Sequence, residues 1–277
     1  MELFKETCLK CSKIITESYS TSFTLGIRTM HRKLHLPIYA IYGFVRLADE
    51  IVDTFHAYKK RELLQDFKAQ TYTAIEQQIS LNPVLHAFQG VVNQFGIDLA
   101  YIEAFLKSME MDLDDHKYDT ALYKEYIYGS AEVVGLMCLR VFCDGDSEMF
   151  ERLRKPACSL GAAFQKVNFL RDMKSDYHER GRIYFPQVDI STFNNARKAE
   201  IEADIIQDFE DAYHGIMGLP KSARMGVYLA YIYYLKLFRK IQALPATNIL
   251  KERVRINDNT KLALLLGSYL KYRLNTI

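Results

Sequence analysis

The sequence predicts an all-α protein: a single large helical bundle with a central cavity. Apolar residues recur with helical spacing along most of the 277 residues, and no convincing strand-like alternation occurs. Carboxylates stand on stretches that are otherwise apolar, which favours an interior space that these acids share. The chain shows no internal repeat and no low-complexity linker, and its length suffices for one deep core. We therefore expect one domain covering residues 1–277.

Helical periodicity defines the elements in chain order. The first helix has an apolar face formed by Phe4, Cys8, Cys11 and Ile15. Pro37 stands where a first-turn proline is tolerated, so we expect the buried helix that ends near Asp53 to begin there. Breaks are expected at Pro83, Pro220 and Pro245. Further helices are predicted over residues 59–80, 83–94, 98–114, 120–142, 147–177, 196–217, 221–243 and 258–274.

The charge balance argues against nucleic acid as a main partner. Lys and Arg total 36, Asp and Glu total 34, and no basic stripe with interleaved aromatic residues occurs. The five cysteines are odd in number and irregularly spaced, which predicts free thiols in a reducing cytoplasm. Cys8 and Cys11 lack the further Cys or His partners that a zinc site needs, so we expect a core-facing pair.

The amino terminus does not have the pattern of a signal peptide. No uncharged apolar run reaches the roughly 18 residues that span a membrane. We expect a cytoplasmic protein, and contact with a membrane surface stays compatible with this composition.

The first acidic pair lies on the buried helix of residues 38–53, IYAIYGFVRLADEIVD. Asp49 and Asp53 are four residues apart and share a helix face, with Glu50 between them and Arg46 one turn earlier. The residues before them are apolar on every side, which is typical of a buried helix. Buried carboxylates need partners, and few basic residues are nearby. We therefore expect these acids to point into the bundle interior.

A second polar face occurs in FQKVNFLRDMKSDYHERGRIYFP, residues 164–186. The spacing of its members places them on one side of a helix: Gln165, Asn168, Asp172 and Asp176. A solvated acidic face is the alternative interpretation of such spacing. Two acidic helices facing each other across a cavity would instead hold a diphosphate through divalent metal ions, because Mg²⁺ prefers hard oxygen ligands and keeps substrate phosphates in its shell.

Several motifs, in this order, resemble those of the squalene and phytoene synthase family. DEIVD at 49–53 resembles the family's first Asp-rich motif, and NFLRDMKSD with RGRIYFP resembles the second. YSTSF at 19–23 resembles the amino-terminal substrate motif, and MEMDLDDHKYDT at 109–120 is closest to the phytoene synthase branch. YGSAEVVG at 128–135 matches in part, because Glu132 stands where the family has glycine; it would either adjust the cavity or pair with a cation. The resemblance implies the isoprenoid synthase fold.

The same resemblance implies a prenyltransferase that joins two prenyl diphosphates head to head and releases diphosphate. Mg²⁺, for which Mn²⁺ would substitute, would neutralise the leaving diphosphate. The four motif aspartates are the implied catalytic residues, and with one asparagine they are the implied metal ligands: Asp49, Asp53, Asn168, Asp172 and Asp176. Aromatic faces can stabilise a carbocation, and core packing is the alternative for each candidate. The candidates are Tyr42, Phe44 and Phe164.

The implied substrate-binding residues come from four parts of the chain. Tyr19 and Thr21 depart from the family, which often has His and a basic residue at these positions. Arg46 and Arg171 lie within one turn of the metal motifs, where a guanidinium can bind phosphate in two-pronged fashion or pair with the adjacent carboxylates. The full set is Tyr19, Ser20, Thr21, Ser22, Tyr42, Arg46, Gln165, Arg171, Tyr233 and Arg253.

We expect two geranylgeranyl diphosphates to give phytoene without NADPH, since no dinucleotide motif such as GxGxxG is visible. The alternatives are a squalene or dehydrosqualene synthase that uses farnesyl diphosphate, a head-to-tail prenyltransferase or cyclase, and a non-catalytic assembly protein. A scaffold has no use for paired buried acids, which disfavours the last, and RGRIYFP favours the head-to-head family. Expected partners are the prenyl diphosphate substrates and neighbouring carotenoid enzymes.

Overall fold

The computed structural model describes residues 1–114, 118–180, 183–186, 188, 192–251 and 253–273. Within these ranges the chain forms thirteen α-helices and a π-helix, and no strand, which confirms the all-α prediction. The α-helices are α1 (Glu2–Tyr19), α2 (Thr21–Thr29), α3 (Arg32–Asp53), α4 (Lys60–Gln77), α5 (Pro83–Phe95), α6 (Leu99–Met111), α7 (Thr120–Ile127), α8 (Val133–Cys143), α9 (Ser147–Arg180), α10 (Asn195–Gly218), α11 (Lys221–Gln242), α12 (Ala246–Ile249) and α13 (Asp258–Arg273).

Helices α4 to α6, α9 to α11 and α13 begin and end close to the predicted residues, because short polar residues and prolines mark many of their ends. Asn82 accepts a hydrogen bond from the backbone N–H of Val84 (3.0 Å), and Pro83 is the first residue of α5. Asn194 caps α10 in the same way, through the N–H of Ala196 (3.0 Å). The short helices α2 and α12 were not anticipated as separate elements.

The prediction that Pro37 begins the buried helix is wrong. α3 begins at Arg32, where the His31 ring accepts a hydrogen bond from the N–H of Lys33 (3.3 Å), and Pro37 lies inside the helix. A proline inside a helix leaves the carbonyl four residues earlier without its usual donor. Here that carbonyl belongs to Lys33, which is exposed, so water can hydrate it.

α3 and α9 organise the bundle. α9 packs along α8, α10 and the π-helix, and α3 packs along α1, α5 and α8. On α3, the fully buried Phe44 stacks on Phe88 with ring centroids 3.9 Å apart. Burial of such large rings is a major source of stability and fixes the helix in place. The acidic faces of α3 and α9 are therefore carried by helices whose other faces are held in the core.

The π-helix Tyr128–Glu132 separates α7 from α8 within what was predicted as one helix. π-helices occur mostly as single turns and frequently at functional sites. Two glycines permit close packing around it. A Cβ at Gly129 would lie 2.4 Å from a carbonyl oxygen of α6, and one at Gly161 of α9 would lie 2.8 Å from a carbonyl oxygen of the π-helix. Both neighbouring helices thus rest directly against its backbone.

The continuous helical stretch Thr120–Cys143 is long and apolar enough, by length and composition, to cross a membrane, whereas the sequence analysis expected no such segment. More than half of it is buried inside the protein, where α8 packs on α6 and α9. The core helix of a globular bundle passes the same test, so the burial favours a core role.

All five cysteines are free thiols, as predicted. Cys8 is buried and Cys11 is partly buried, as expected for a pair on the core-facing side of α1.

Candidate active site

A cavity of about 290 Å³ with both polar and apolar lining residues, called the mouth below, is formed by α2, α3, α9, α11 and α13 together with Ser20. Half of the predicted substrate-binding residues line it, although they come from distant parts of the sequence. They are Ser20, Ser22, Tyr42, Arg171 and Tyr233. The predicted metal ligand Asn168 also lines the mouth.

A second cavity, also of about 290 Å³ and called the apolar cavity, adjoins the mouth. The two cavities share the lining residues Phe23, Tyr42, Asn168, Ala230 and Tyr234. Away from the mouth the lining is almost entirely apolar and includes Leu139, Phe142, Leu153, Ile216 and Leu219. Such a pair of spaces suits an amphiphile with a polar head and a long apolar chain.

Asp49 lies near the mouth residue Tyr42, whose pKa its charge helps to raise, but Asp49 is not among the residues that line the mouth or the apolar cavity, and neither are Asp53, Asp172 and Asp176. Asp49 lies two turns after Tyr42, so both side chains share one helix face. The Asp49 side chain is partly enclosed by protein and 32% of it is accessible to solvent. Burial, followed by repulsion from Asp53, raises the pKa of Asp49 to about 7. The two acids of α3 are therefore close enough to disfavour each other's charge.

Arg46 links these acids to the amino-terminal motif. Its guanidinium pairs with Glu50, lies 3.9 Å from the Asp49 carboxylate and sits 4.4 Å above the ring of Tyr19. The salt-bridge role predicted for Arg46 is therefore present. Because the guanidinium is committed mainly to Glu50, it offsets only part of the repulsion at Asp49.

The polar face of α9 forms the opposite wall. Gln165 Nε2 donates a hydrogen bond to Ser130 Oγ of the π-helix (3.3 Å). The hydroxyl of Tyr234 donates to Asn168 Oδ1 (3.3 Å). Both α9 side chains line the apolar cavity, so the alternative of a solvated acidic face does not describe this part of the helix.

Asp172 is bound by two guanidinium groups. Arg171 Nε donates to Asp172 Oδ1 at 3.0 Å, and Arg253 Nε, from the segment between α12 and α13, lies 2.6 Å from the same oxygen. Burial alone would lower the pKa of Arg171, but the hydrogen bond and charge of Asp172 raise it on balance. Two groups suited to phosphate thus stand beside a carboxylate suited to a metal ion.

The donor set fits Mg²⁺ held jointly with a substrate. Among the described residues, no three His, Cys, Asp or Glu side chains converge on a point that could hold a metal ion. The acids come in two pairs. Asp53, the last residue of α3, lies one turn beyond Asp49, and the nearly buried Asp176 lies one turn beyond Asp172 on α9. Mg²⁺ is commonly bound through one or two carboxylates, waters and substrate phosphates. The assignment of these acids and Asn168 as metal ligands stays a prediction.

The amino-terminal motif lies at the junction of α1 and α2. Ser20 Oγ accepts a hydrogen bond from a backbone N–H in the first turn of α2 (3.2 Å) and shares another with Tyr42. Ser22 lines the mouth, whereas Thr21 is exposed at the start of α2. Tyr19 is 52% exposed and contributes its ring to Arg46. The structure therefore brings three members of the motif to the site and leaves Thr21 at the surface.

Sequence reasoning missed Tyr234, although it selected the adjacent Tyr233. The Tyr234 ring stacks on Phe164 with centroids 4.0 Å apart, and its hydroxyl contacts Asn168 at the junction of the two cavities. Both tyrosines line the mouth, and helical spacing alone does not show that two consecutive residues contribute to one cavity.

Asp112 was also missed as an individual residue. It is 5% exposed and accepts hydrogen bonds from the hydroxyls of Tyr126 (2.8 Å) and Tyr184 (3.3 Å). Its charge adds to the shift that raises the pKa of Asp49. The expected exposed helix end is represented by Asp114, which pairs with an arginine of α4. Burial of Asp112 could have been suspected from its apolar neighbours in the motif.

Parts of two motifs lie outside the described residues: 115–117 of MEMDLDDHKYDT and 181–182 of RGRIYFP.

Glu132 does not belong to the lining of the mouth or of the apolar cavity. Its carboxylate accepts a hydrogen bond from the Cys158 thiol, and burial raises its pKa. Lys166 is near enough to oppose this shift, but its ammonium is bonded to Asp208 (2.7 Å) and to a second aspartate of α10. Lys166 therefore lowers the pKa of Glu132 only through longer-range electrostatic attraction.

The family model described as Squalene/phytoene synthase matches residues 16–260. Phytoene synthase 1, chloroplastic, of Zea mays is 28% identical over 96% of this chain and 68% of its own length. The 4,4'-diapophytoene synthase of Staphylococcus haemolyticus is 27% identical over 75% of this chain and 72% of its own length.

Solved structures show the same fold. A dehydrosqualene synthase in complex with a ligand superposes with a TM-score of 0.82 and 23% identity, covering 99% of this chain and 98% of its own. The squalene synthase HpnC from Alicyclobacillus acidocaldarius gives a TM-score of 0.75 at 20% identity, over 86% of this chain and 94% of its own. Together with the match over most of the sequence, this places the chain in the squalene/phytoene synthase family, whose members are prenyltransferases that condense two prenyl diphosphates head to head.

Proposed function

We propose that this protein condenses two geranylgeranyl diphosphates to phytoene, with release of diphosphate and without a reductant. The observation that carries the proposal is the junction of the mouth with an apolar cavity between α3, which contributes Tyr42, and α9, which contributes Asn168 and Arg171; these are the two helices that carry the motif aspartates. The similarity to curated phytoene synthases over 96% or more of this chain, from Zea mays and Arabidopsis thaliana, supports the C20 substrate.

Substrate binding follows from the charges of the mouth. Arg171 and Arg253 would hold diphosphate oxygens in two-pronged fashion, and Ser22 would donate a further hydrogen bond. The prenyl chain would extend past Tyr234 into the apolar cavity, which excludes water from its length.

The family generally uses a divalent metal ion. We assign Mg²⁺ to Asp49 and Asp53 on one wall and to Asn168, Asp172 and Asp176 on the other. When bound, it would supply Lewis-acid neutralisation of the charge that develops on the leaving diphosphate. The acids themselves hold that position on rigid helices, so little reorganisation is needed during ionisation.

Aromatic rings lie where the carbocation would form. Tyr42 stacks on Phe23 with centroids 4.8 Å apart, and the Phe164–Tyr234 pair stacks at the same junction of the two cavities. Ring faces attract a cation and cannot trap it as water would. Phe44, a candidate on sequence grounds, instead packs in the core against Phe88.

The final cation has two fates. Hydride transfer would need a nicotinamide beside it, whereas proton loss needs only a weak base in a dry pocket, for which a diphosphate oxygen suffices. Proton loss therefore requires no nicotinamide-binding site in this chain, whereas hydride transfer does. A C15 alternative, dehydrosqualene formation, is supported by the similarity to the staphylococcal diapophytoene synthase.

The test is incubation of the purified protein with C15 and C20 diphosphates and Mg²⁺, with and without NADPH, followed by product analysis. We expect phytoene from the C20 substrate in both conditions. A C30 hydrocarbon formed without NADPH in preference to phytoene would favour the C15 alternative. An NADPH-dependent C30 hydrocarbon as sole product would overturn the proposal.

A further inference from the structure

A long segment of this nearly neutral chain carries only positive charge. Residues 212–251 contain six Lys and Arg residues and no Asp or Glu, although the whole chain balances 36 basic against 34 acidic residues. This segment includes all of α11 and α12. Three of its basic residues fall in the last two turns of α11: Lys236, Arg239 and Lys240.

These cations adjoin the mouth. Lys236 lies one turn and Lys240 two turns beyond the mouth residue Tyr233, so the line of the helix leads from the mouth to them. Lys240 Nζ donates to the backbone carbonyl of Arg255 (2.7 Å). Two residues before Arg255, the side chain of Arg253 pairs with Asp172, which also binds the mouth residue Arg171.

We call Lys236, Arg239, Lys240 and Arg255 the basic rim. All four residues are exposed. Within the described part of the chain, no carboxylate forms an ion pair with any rim side chain, in contrast to the paired Arg171 and Arg253 inside the mouth. The rim therefore presents its positive charge to solvent on the approach to a site whose walls are acidic.

We infer that the basic rim captures the diphosphate group of the incoming substrate and passes it to Arg253 and Arg171. This inference rests on the proposed use of prenyl diphosphates. A strongly charged edge beside a cleft raises association rates about 10- to 1000-fold, and the effect falls as salt increases. Without the rim, a diphosphate would approach the acids of α3, whose charge Arg46 offsets only in part, with less attraction at long range.

Cations in the last turn of α11 also stabilise this helix by interacting with its dipole. A variant that lacks them can therefore lose stability as well as substrate capture. The test variant therefore replaces Lys236, Arg239 and Lys240 by Gln and keeps Arg255. A matched control replaces the exposed Lys10, Arg152 and Lys155 by Gln and loses the same three charges. Lys155 lies 17 residues before Asp172 on α9, about 25 Å along the helix. Thermal melting of both proteins checks their folding.

The first measurement is kcat/KM for detergent-dispersed geranylgeranyl diphosphate between about 20 and 200 mM salt, a range over which screening of exposed charges changes strongly. We expect kcat/KM of the rim variant to fall about 10-fold at low salt, with kcat retained and with a flatter salt dependence. The control variant should follow the wild type. Equal salt dependence in the rim and control variants would overturn the inference.

The second measurement is the binding of inorganic diphosphate by calorimetry, which requires no turnover. We expect the rim variant, and not the control, to bind it several-fold more weakly at low salt. Binding to phosphatidylglycerol vesicles is measured in parallel. If the rim variant loses vesicle binding but keeps wild-type kcat/KM and diphosphate binding, the rim recognises lipid headgroups and the inference is overturned. A wild-type protein that forms no hydrocarbon would refute the proposed function, while the calorimetric comparison would still judge the rim.

Discussion

Asp49 on α3 and Asp172 on α9 hold similar places in their helices, but their electrostatic surroundings are opposite. Asp49 lies near Asp53, Glu50 and Asp112, and its pKa is raised to about 7. Asp172 is contacted by the guanidinium groups of Arg171 and Arg253. The charge of Asp49 is therefore offset only in part, by Arg46, whereas the charge of Asp172 is paired with two arginines.

This difference suggests a division of roles between the walls. A divalent cation at α3 relieves repulsion, because there the carboxylates disfavour each other's charge. A metal ion at Asp172 must compete with the two arginines that contact this carboxylate. When a diphosphate binds, its oxygens can accept the hydrogen bonds of these arginines, and Asp172 can then bind the metal ion. We therefore expect the α3 acids to bind Mg²⁺ first and the α9 acids to bind it together with diphosphate.

The largest expected effect is that of metal removal, which acts on both walls at once. EDTA treatment should stop hydrocarbon formation, and added Mg²⁺ should restore it, with Mn²⁺ as a substitute, because the leaving diphosphate needs charge neutralisation. Product formation from prenyl diphosphate in metal-free buffer is the measurement. Full activity after EDTA treatment would exclude the assigned role of the acids.

Next in size are the single aspartate variants, which test each wall separately. Asp49→Ala and Asp172→Ala should each reduce turnover by about 1000-fold, since loss of several kcal/mol of transition-state stabilisation has that effect. Asp66→Ala, at an exposed position of α4, is the control and should keep wild-type turnover. Circular dichroism should show all three proteins folded. Near wild-type turnover in either mouth variant would remove that residue from the metal site.

A smaller effect is expected from Arg253→Gln, which removes one of the two guanidinium groups that contact Asp172. Loss of one charge-assisted contact to diphosphate should raise KM about 10- to 100-fold, with a lesser change in kcat. Arg28→Gln removes an exposed arginine that pairs with Glu17 (2.8 Å) and serves as the control. If KM stays unchanged in Arg253→Gln, this arginine serves only Asp172 and not the substrate.

The smallest effect concerns the stability of the metal-free protein. Folded Asp49 keeps its proton up to about pH 7, whereas the unfolded chain releases it near its ordinary pKa of 3.8. The free energy of unfolding should therefore fall as pH rises through this window. Asp49→Asn removes that loss, so its Tm should exceed that of the wild type most at about pH 8, by about 2–4 °C for each kcal/mol, by a smaller amount at about pH 5, and little near the unfolded pKa of 3.8.

In this experiment EDTA is present throughout, so that bound metal does not mask the effect. A wild-type Tm that matches that of Asp49→Asn at both pH values would show that Asp49 titrates normally.

The fold and the helix faces could be predicted from sequence because they depend on local spacing. The polar spacing from Gln165 to Asp172 correctly indicated one face of α9. Which residues meet across the mouth depends instead on packing between distant helices. Tyr234 on α11 and the buried Asp112 were missed for that reason, and the pairing of Arg253 with Asp172 joins residues 81 positions apart.

Titration of Mg²⁺ by calorimetry, with and without inorganic diphosphate, tests the difference between the walls most directly. The proteins compared are the wild type, Asp49→Asn and Asp172→Asn. Without diphosphate, we predict that Asp49→Asn loses Mg²⁺ binding and that Asp172→Asn keeps it; with diphosphate, both should bind less Mg²⁺ than the wild type. The opposite result without diphosphate, with binding lost in Asp172→Asn and kept in Asp49→Asn, would contradict the account.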